Sequence, residues 1–131
     1  MTIHEIEAEI DIKWLTIIPT DQLAVRQFLQ SVEPAKLLIW FFQSLDQACE
    51  EPYRVRWDEH WETIIARVNE IFPLFDLPRQ TQDHLQDFLA NLSSTLEYHR
   101  EQQLFQLAAY WQRNLRDNLM WRCHILAEAQ S

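Results

Sequence analysis

Residues 35–45 read Ala35-Lys36-Leu37-Leu38-Ile39-Trp40-Phe41-Phe42-Gln43-Ser44-Leu45, and this stretch decides the fold. If the backbone is helical, the six consecutive apolar residues at positions 37–42 point in every direction around the helix axis. A helix that is apolar on all sides has to be covered by other elements. The stretch therefore predicts a central buried helix over about residues 34–49, surrounded by other helices.

The composition favours helices over sheets. The chain has 131 residues, 47% of them hydrophobic, and it contains no glycine, where average usage gives about nine. Glycine is needed for the commonest two-residue hairpin turns and for the phosphate-binding loops of nucleotide-binding proteins. We therefore expect a single all-α domain over residues 1–131, a bundle of five or six helices, without a nucleotide cofactor.

The segments outside the central helix repeat apolar residues at spacings of three or four, which is typical of helices with one buried face. Asp58 and Thr81 are expected to cap two of these helices, and Pro73 to end the first of them. Whether residues 81–128 form one long helix or two stays open, because Ser93-Ser94-Thr95 fits either a break or a polar turn. The residues expected to face inward are Leu23, Ala24, Phe28, Leu29, Trp61, Ile64, Ile65, Val68, Ile71, Phe72, Leu85, Phe88, Leu89, Leu92, Leu104, Ala108, Trp111, Leu115, Leu119, Cys123 and Leu126.

Residues 5–14 fit either a helix or a strand. As a strand, the segment alternates charged and apolar side chains. Nothing else in the chain offers a second strand to pair with it, so another protein or a second copy would have to supply that strand. As a helix, it begins at Thr2 with Glu5 in a capping box and leaves Ile12 on the polar side. The helix is the favoured interpretation, with an inner face of Ile3, Ile6, Ile10, Trp14 and Ile17.

Acidic side chains outnumber basic ones by 20 to 11, and most of the excess lies in residues 1–70. A negative surface repels phosphate groups and anionic lipids, so we expect no direct binding to nucleic acid or to a membrane. The first residues are acidic rather than basic, unlike a signal peptide, and no apolar run approaches the roughly 20 residues of a membrane span. Cys49 and Cys123 make no disulfide framework. Together these features predict a soluble cytoplasmic protein.

No group of residues has the spacing that catalysis or metal binding requires. The five histidines are scattered, and neither the Glu-x-x-His nor the His-Glu-x-x-His pattern is present. Cys123 and His124 are neighbours, but adjacent helical residues point about 100° apart and do not form a nucleophile and its base. We therefore expect no enzymatic activity, no metal and no cofactor.

Six large apolar residues remain outside any predicted inner face. Aromatic and aliphatic side chains left on a surface are typical of protein interfaces. We therefore predict a non-enzymatic protein–protein interaction module, such as an adaptor, an assembly factor or a regulatory subunit, with another protein or a second copy as its partner. The predicted partner-binding residues are Ile12, Trp57, Leu74, Phe75, Leu77 and Trp121.

Two other functions fit the same composition. An aromatic-rich bundle would be able to enclose a small apolar ligand between its helices. Alternatively, the carboxylates of the N-terminal half would mimic nucleic-acid charge and occupy the basic site of a nucleic-acid-binding protein. Arg113, Arg116 and Arg122 form a basic cluster that is expected to meet the acidic half, within the fold or across a dimer, with Arg113 also able to pair with Asp117.

Overall fold

A computed structural model describes residues 2–17, 22–50, 60–74, 78–97 and 101–129, and nearly all of them are helical. This part of the chain forms seven α-helices and one short 3₁₀ turn, and it contains no strand. The prediction of an all-α bundle is confirmed, and residues 5–14 are helical. The helices are α1 (Ile3–Leu15), α2 (Gln22–Ser31), α3 (Pro34–Glu50), α4 (Trp61–Ile71), α5 (Arg79–Glu97), α6 (Glu101–Asn114) and α7 (Arg116–Ala129).

The apolar stretch at positions 37–42 is buried on every side. None of its six side chains is more than 2% exposed. Helix α3, which carries the stretch, contacts α1, α4, α6 and α7, and the ring of Phe42 stacks on Trp111 of α6 with centroids 4.3 Å apart. Because burial of large apolar side chains is the main favourable term in folding, this stretch contributes much of the stability of the bundle.

Helix α1 begins and packs as its sequence predicts. The Thr2 hydroxyl accepts a hydrogen bond from the backbone N–H of Glu5 at 3.2 Å, which satisfies one of the free amide groups of the first turn. Ile6 and Ile10 are buried in the core. Partly buried side chains extend the same face, and they are Ile3, Trp14 and Ile17.

The inner face of α2 differs from the prediction. Val25 and Leu29 are buried, whereas Leu23 is 62% exposed. Val25 and Leu29 are one helical turn apart and share a stripe, while Leu23 lies two residues before Val25 and points about 200° away from it. Phe28 completes this face and packs against Trp14 at a centroid distance of 5.7 Å.

Helix α4 begins later than the sequence suggests. Its first residue is Trp61, with His60 in the N-cap position, whereas the predicted cap, Asp58, lies outside the described residues. The helix ends at Ile71 in a 3₁₀ turn that includes Pro73, as expected. Its inner face also follows the prediction, with buried Ile64, Ile65, Val68, Ile71 and Phe72.

Helix α5 begins earlier than predicted, because its first residue is Arg79 and Thr81 lies inside the helix instead of capping it. The carbonyl of Pro78 accepts the first hydrogen bond, from the N–H of Gln82 at 3.0 Å. Proline suits a helix start because its missing N–H would have no partner there. The helix continues through residues 93–95, and its buried apolar residues are Leu85, Phe88, Leu89 and Leu92.

Residues 81–128, for which the sequence left open one helix or two, belong to three helices in the described part of the chain, which helps raise the number of helices from the expected five or six to seven. Helix α6 ends at Asn114 and α7 begins at Arg116. The Asn114 side chain donates a hydrogen bond to the carbonyl of Tyr110 at 3.1 Å. Backbone hydrogen bonds continue across Leu115, from its N–H to the carbonyl of Trp111 at 2.9 Å and from the N–H of Leu119 to its own carbonyl at 3.1 Å, so the break is limited to this one residue. The predicted stripe still runs through both helices, with buried Ala108, Trp111, Leu115, Leu119 and Cys123.

Several predicted inner residues have side chains outside the described part of the structure. They are Trp61, Leu104 and Leu126. The connection between α5 and α6, residues 98–100, also lies outside it. The described apolar side chains form one continuous core to which all seven helices contribute.

Candidate functional site

Helix α1 carries apolar side chains on two opposite sides. Ala8, Ile12 and Leu15 follow one another at spacings of four and three, which places them on one stripe of the helix. Ile12 is 66% exposed and Leu15 is 81% exposed, and Ala8 is exposed as well. We call these three residues the α1 outer face, since the buried Ile6 and Ile10 lie on the other side.

Helix α7 has the same property. Trp121 is 64% exposed and Ile125 is 46% exposed. They are one helical turn apart and lie on the same side of the helix, and we call the pair the α7 outer face. The opposite side contributes Leu119 and Cys123 to the core.

The structure describes three of the six predicted partner-binding residues. Ile12 and Trp121 belong to the two outer faces, and Leu74 is 72% exposed in the 3₁₀ turn that follows α4. They lie on three separate elements. The other three predicted residues, Trp57, Phe75 and Leu77, lie outside the described residues.

Sequence reasoning missed three members of these faces, namely Ala8, Leu15 and Ile125. Leu15 stands three residues after Ile12, and Ile125 stands four residues after Trp121. Both spacings are those of helical neighbours, so extending each exposed residue by one turn would have found the second one. The omission arose because each residue was judged singly rather than as part of a stripe.

Helix α1 is held on α3 by hydrogen bonds as well as by apolar packing. Asp11 accepts a hydrogen bond from the indole N–H of Trp40 at 2.8 Å. Glu7 accepts from the amide groups of Gln43, at 3.1 Å, and Gln47, at 2.9 Å. A rotation of α1 that buried its outer face would leave these buried donors without partners, which is unfavourable. The orientation of the α1 outer face is therefore fixed.

Asp46 joins α3 to the C-terminal helices. Its carboxylate accepts hydrogen bonds from the indole N–H of Trp111 at 3.1 Å and from Nε of Arg116 at 2.7 Å. The Asp46 carboxylate raises the pKa of Arg116 above its ordinary value, mainly through that hydrogen bond. Asp117 pairs with Arg116 rather than with Arg113 as predicted. Of the predicted basic cluster, Arg116 meets the acidic half within the fold, through Asp46.

These contacts also bear on the nucleic-acid mimic. Glu7, Asp11 and Asp46 all accept hydrogen bonds from neighbouring helices, and Glu9 pairs with Lys13 on the same helix at 3.4 Å. A mimic needs carboxylates in a regular exposed array, and the observed contacts withdraw several of them from such an array.

Two open grooves lie between neighbouring helices. The first is lined mainly by polar side chains, and the second by polar and apolar side chains in about equal measure. The groove between α2 and α4 has a volume of about 320 Å³, and its charged lining residues are Arg26, Glu62, Arg67 and Glu70. The groove between α4 and α5 has a volume of about 430 Å³, and its polar lining includes Asn69, Gln82, Asp83 and Gln86. Neither groove resembles the enclosed apolar cavity that a buried apolar ligand requires.

Cys123 is a free thiol buried in the core. Burial raises its pKa to about 12, so at neutral pH the thiol stays protonated and is a poor nucleophile. Within the described ranges, no group of three or more His, Cys, Asp or Glu side chains is placed to hold a metal ion. The helices in the same ranges are all too short or too polar to cross a membrane.

The candidate site thus consists of two surface features, the α1 outer face and the α7 outer face. Both present apolar side chains from helices whose opposite sides already belong to the core. Neither includes a group with the geometry of a catalyst or a metal ligand. No protein-family model, no curated protein and no solved structure matches this chain.

Proposed function

We propose that the chain is a non-enzymatic protein–protein interaction module that binds another protein through its α1 and α7 outer faces. It would act as an adaptor, an assembly factor or a regulatory subunit. The observation that supports the proposal is the exposure of Ile12, Leu15, Trp121 and Ile125 on helices that have already completed their share of the core. Helices that are apolar on opposite sides are usually covered on both.

The energetics of these residues agree with this role. Covering a fully exposed side chain such as that of Leu15 contributes roughly 1.5–3 kcal/mol, and Trp is enriched among the residues that dominate binding energy. Because Glu7 and Asp11 fix the orientation of α1 on α3, the α1 outer face is preorganised, which reduces the entropy lost on binding.

We further propose that the protein works in the cytoplasm. The buried thiol of Cys123 is free, and the chain has only two cysteines. A reducing compartment suits such a protein, since small secreted domains commonly depend on disulfides.

Quantitative capture from the native host tests the proposed function. Both tagged proteins are captured after brief chemical cross-linking. The wild type should retain a protein partner that the Ile12→Ser and Trp121→Ser double variant loses. The variant should keep its melting temperature, because substitutions at exposed positions usually change stability by no more than about 0.5 kcal/mol.

Leu23→Ser provides a matched control. Leu23 is as exposed as Ile12 and Trp121 but lies on α2, outside both outer faces. This variant should recover the same partner as the wild type. If the double variant also recovers the full set of proteins, the proposed function is wrong.

A further inference from the structure

We propose that the α1 outer face binds a basic amphipathic helix of another protein. The proposal rests on the proposed function and names the class of partner for one of its two faces. Three features of α1 support it, namely the spacing of its exposed residues, its fixed orientation and the charge of the residues beside the exposed stripe.

The spacing indicates that the occupant is a helix. Along the outward side of α1, Glu5, Ala8, Ile12 and Leu15 follow at intervals of three, four and three residues. This alternation is that of the seam in a two-helix coiled coil, in which Ile and Leu are favoured at successive seam positions. A single helix offers no sheet edge to pair with a strand, so an approaching helix is the element that covers such a stripe best.

The inward side of α1 leaves no freedom to hide this stripe. Ile6 and Ile10 are 1% and 2% exposed, and Trp14 packs against Trp40 with ring centroids 5.5 Å apart. The hydrogen bond from Trp40 to Asp11 closes the polar edge of the same contact. With α1 held in this way, Ile12 and Leu15 stay 66% and 81% exposed, and an added helix would cover them without disrupting this packing.

The charge beside the stripe indicates a basic occupant. In the seam numbering, Glu9 and Asp11 occupy the flanking positions whose charges select the partner helix. The Asp11 carboxylate accepts the hydrogen bond from Trp40 through Oδ1, and the Glu9 side chain is 36% exposed beside its weak surface pair with Lys13. Lys or Arg side chains on the incoming helix would pair with these two carboxylates.

The same charges disfavour the other candidate occupants. Two α1 outer faces pressed together would bring the acidic flanks of both copies into contact, and like charges on facing helices repel. Anionic lipid headgroups and nucleic-acid phosphates are repelled for the same reason. A second copy, a vesicle and a nucleic acid are therefore outcomes that would contradict the proposal.

Labelled three-heptad peptides test the proposal with the full chain. The first peptide carries Leu at both seam positions and Lys at the flanking positions. The second replaces the flanking Lys with Glu, and the third keeps Lys but replaces the seam Leu with Ser. In fluorescence anisotropy titrations at one fixed salt concentration, the first peptide should bind at least about tenfold more tightly than either of the others.

Variants of the protein separate specific docking from general attraction to a chain of net charge -9. Ile12→Ser and Leu15→Ser should each weaken binding of the first peptide by about tenfold. Glu9→Lys should weaken it as well, while Asp87→Lys, the same kind of charge change at an exposed site on α5, should weaken it far less. Melting temperatures of the variants should match that of the wild type.

Three results would overturn the inference. Equal affinity for the Lys and Glu peptides would show that the flanking charges do not select the partner. Unchanged affinity of the first peptide for Ile12→Ser would show that the peptide does not bind the α1 outer face. Sedimentation equilibrium that shows a dimer lost in Ile12→Ser would assign the face to a second copy. The capture experiment asks only whether the Ile12→Ser and Trp121→Ser double variant loses a protein partner. A lost partner together with a failed peptide experiment would therefore overturn this inference and leave the proposed function standing.

Discussion

At the scale of single residues, burial determines which groups of this protein are reactive. Cys123 has the chemistry of a nucleophile, but its side chain belongs to the core, where the charged thiolate is strongly disfavoured. Its burial could be predicted from the sequence because it falls on the stripe of α6 and α7. The acceptor role of Asp46 could not, since its partners lie on helices far along the chain.

Cys123 gives a prediction about pH. Its pKa is raised to about 12 in the folded state, whereas the pKa of a thiol in an unfolded chain is about 8.5. Below about pH 8.5 the thiol is protonated in both states, and its contribution to stability is fully present. Above that, the unfolded state loses its proton first, so stability falls with rising pH until about pH 12, by up to about 1.4 kcal/mol per pH unit.

Urea unfolding in a Cys49→Ser background isolates this thiol. Between about pH 8 and about pH 10, the free energy of unfolding should fall more steeply with Cys123 present than in Cys123→Ala. The alanine variant is less stable throughout because it leaves a cavity, so the slopes rather than the absolute values are compared. Parallel slopes would show that the folded thiol ionises normally.

At the scale of helices, the long apolar stripes could be predicted and local hydrogen bonding could not. The stripes of α4 and α5 follow from spacing alone, because each repeats over several turns. The face of α2 was misplaced because the helix has only 10 residues and two overlapping apolar patterns, one with Leu23 and one with Val25. The break between α6 and α7 is limited to Leu115, because helical backbone hydrogen bonds continue across it, and apolar spacing does not report so local a break.

Of the candidate site, the sequence predicted some residues and missed others. The positions of Ile12 and Trp121 outside the inner stripes were predicted, and both are exposed. Their neighbours Leu15 and Ile125 were missed, although the same helical spacing identifies them. Leu15 lies three residues after Ile12 and is the last residue of α1.

Asp46 gives a prediction about how helices are joined. Asp46→Ala removes the acceptor shared by Trp111 and Arg116, and we expect it to lower the free energy of unfolding by about 1–3 kcal/mol, mainly because the buried indole N–H loses its partner. Asp117→Ala is the control, since Asp117 pairs with the same arginine but is 92% exposed; it should change stability by less than about 1 kcal/mol. Equal losses in denaturant unfolding of the two variants would contradict this role of Asp46.

At the scale of the whole molecule, the chain combines one continuous core with apolar side chains that the core does not use. Trp40 and Trp111 are fully buried, while Trp121 is 64% exposed. The composition predicted the core because a chain without glycine and with a long apolar run favours packed helices. The composition did not predict which helices keep exposed apolar side chains, because that depends on which side of each helix is buried in the core.

Hydroxyl-radical footprinting of side chains tests this division most directly, first with the purified protein and then in an extract of its native host. In the purified protein, Trp121 and Ile12 should be modified quickly and Trp40 hardly at all. In the extract, modification of Trp121 and Ile12 should fall while that of Leu23 stays the same. Modification of Trp40 as fast as that of Trp121 would contradict the buried core. Equal modification of Trp121 and Ile12 in the extract and in the purified protein would contradict the two binding faces.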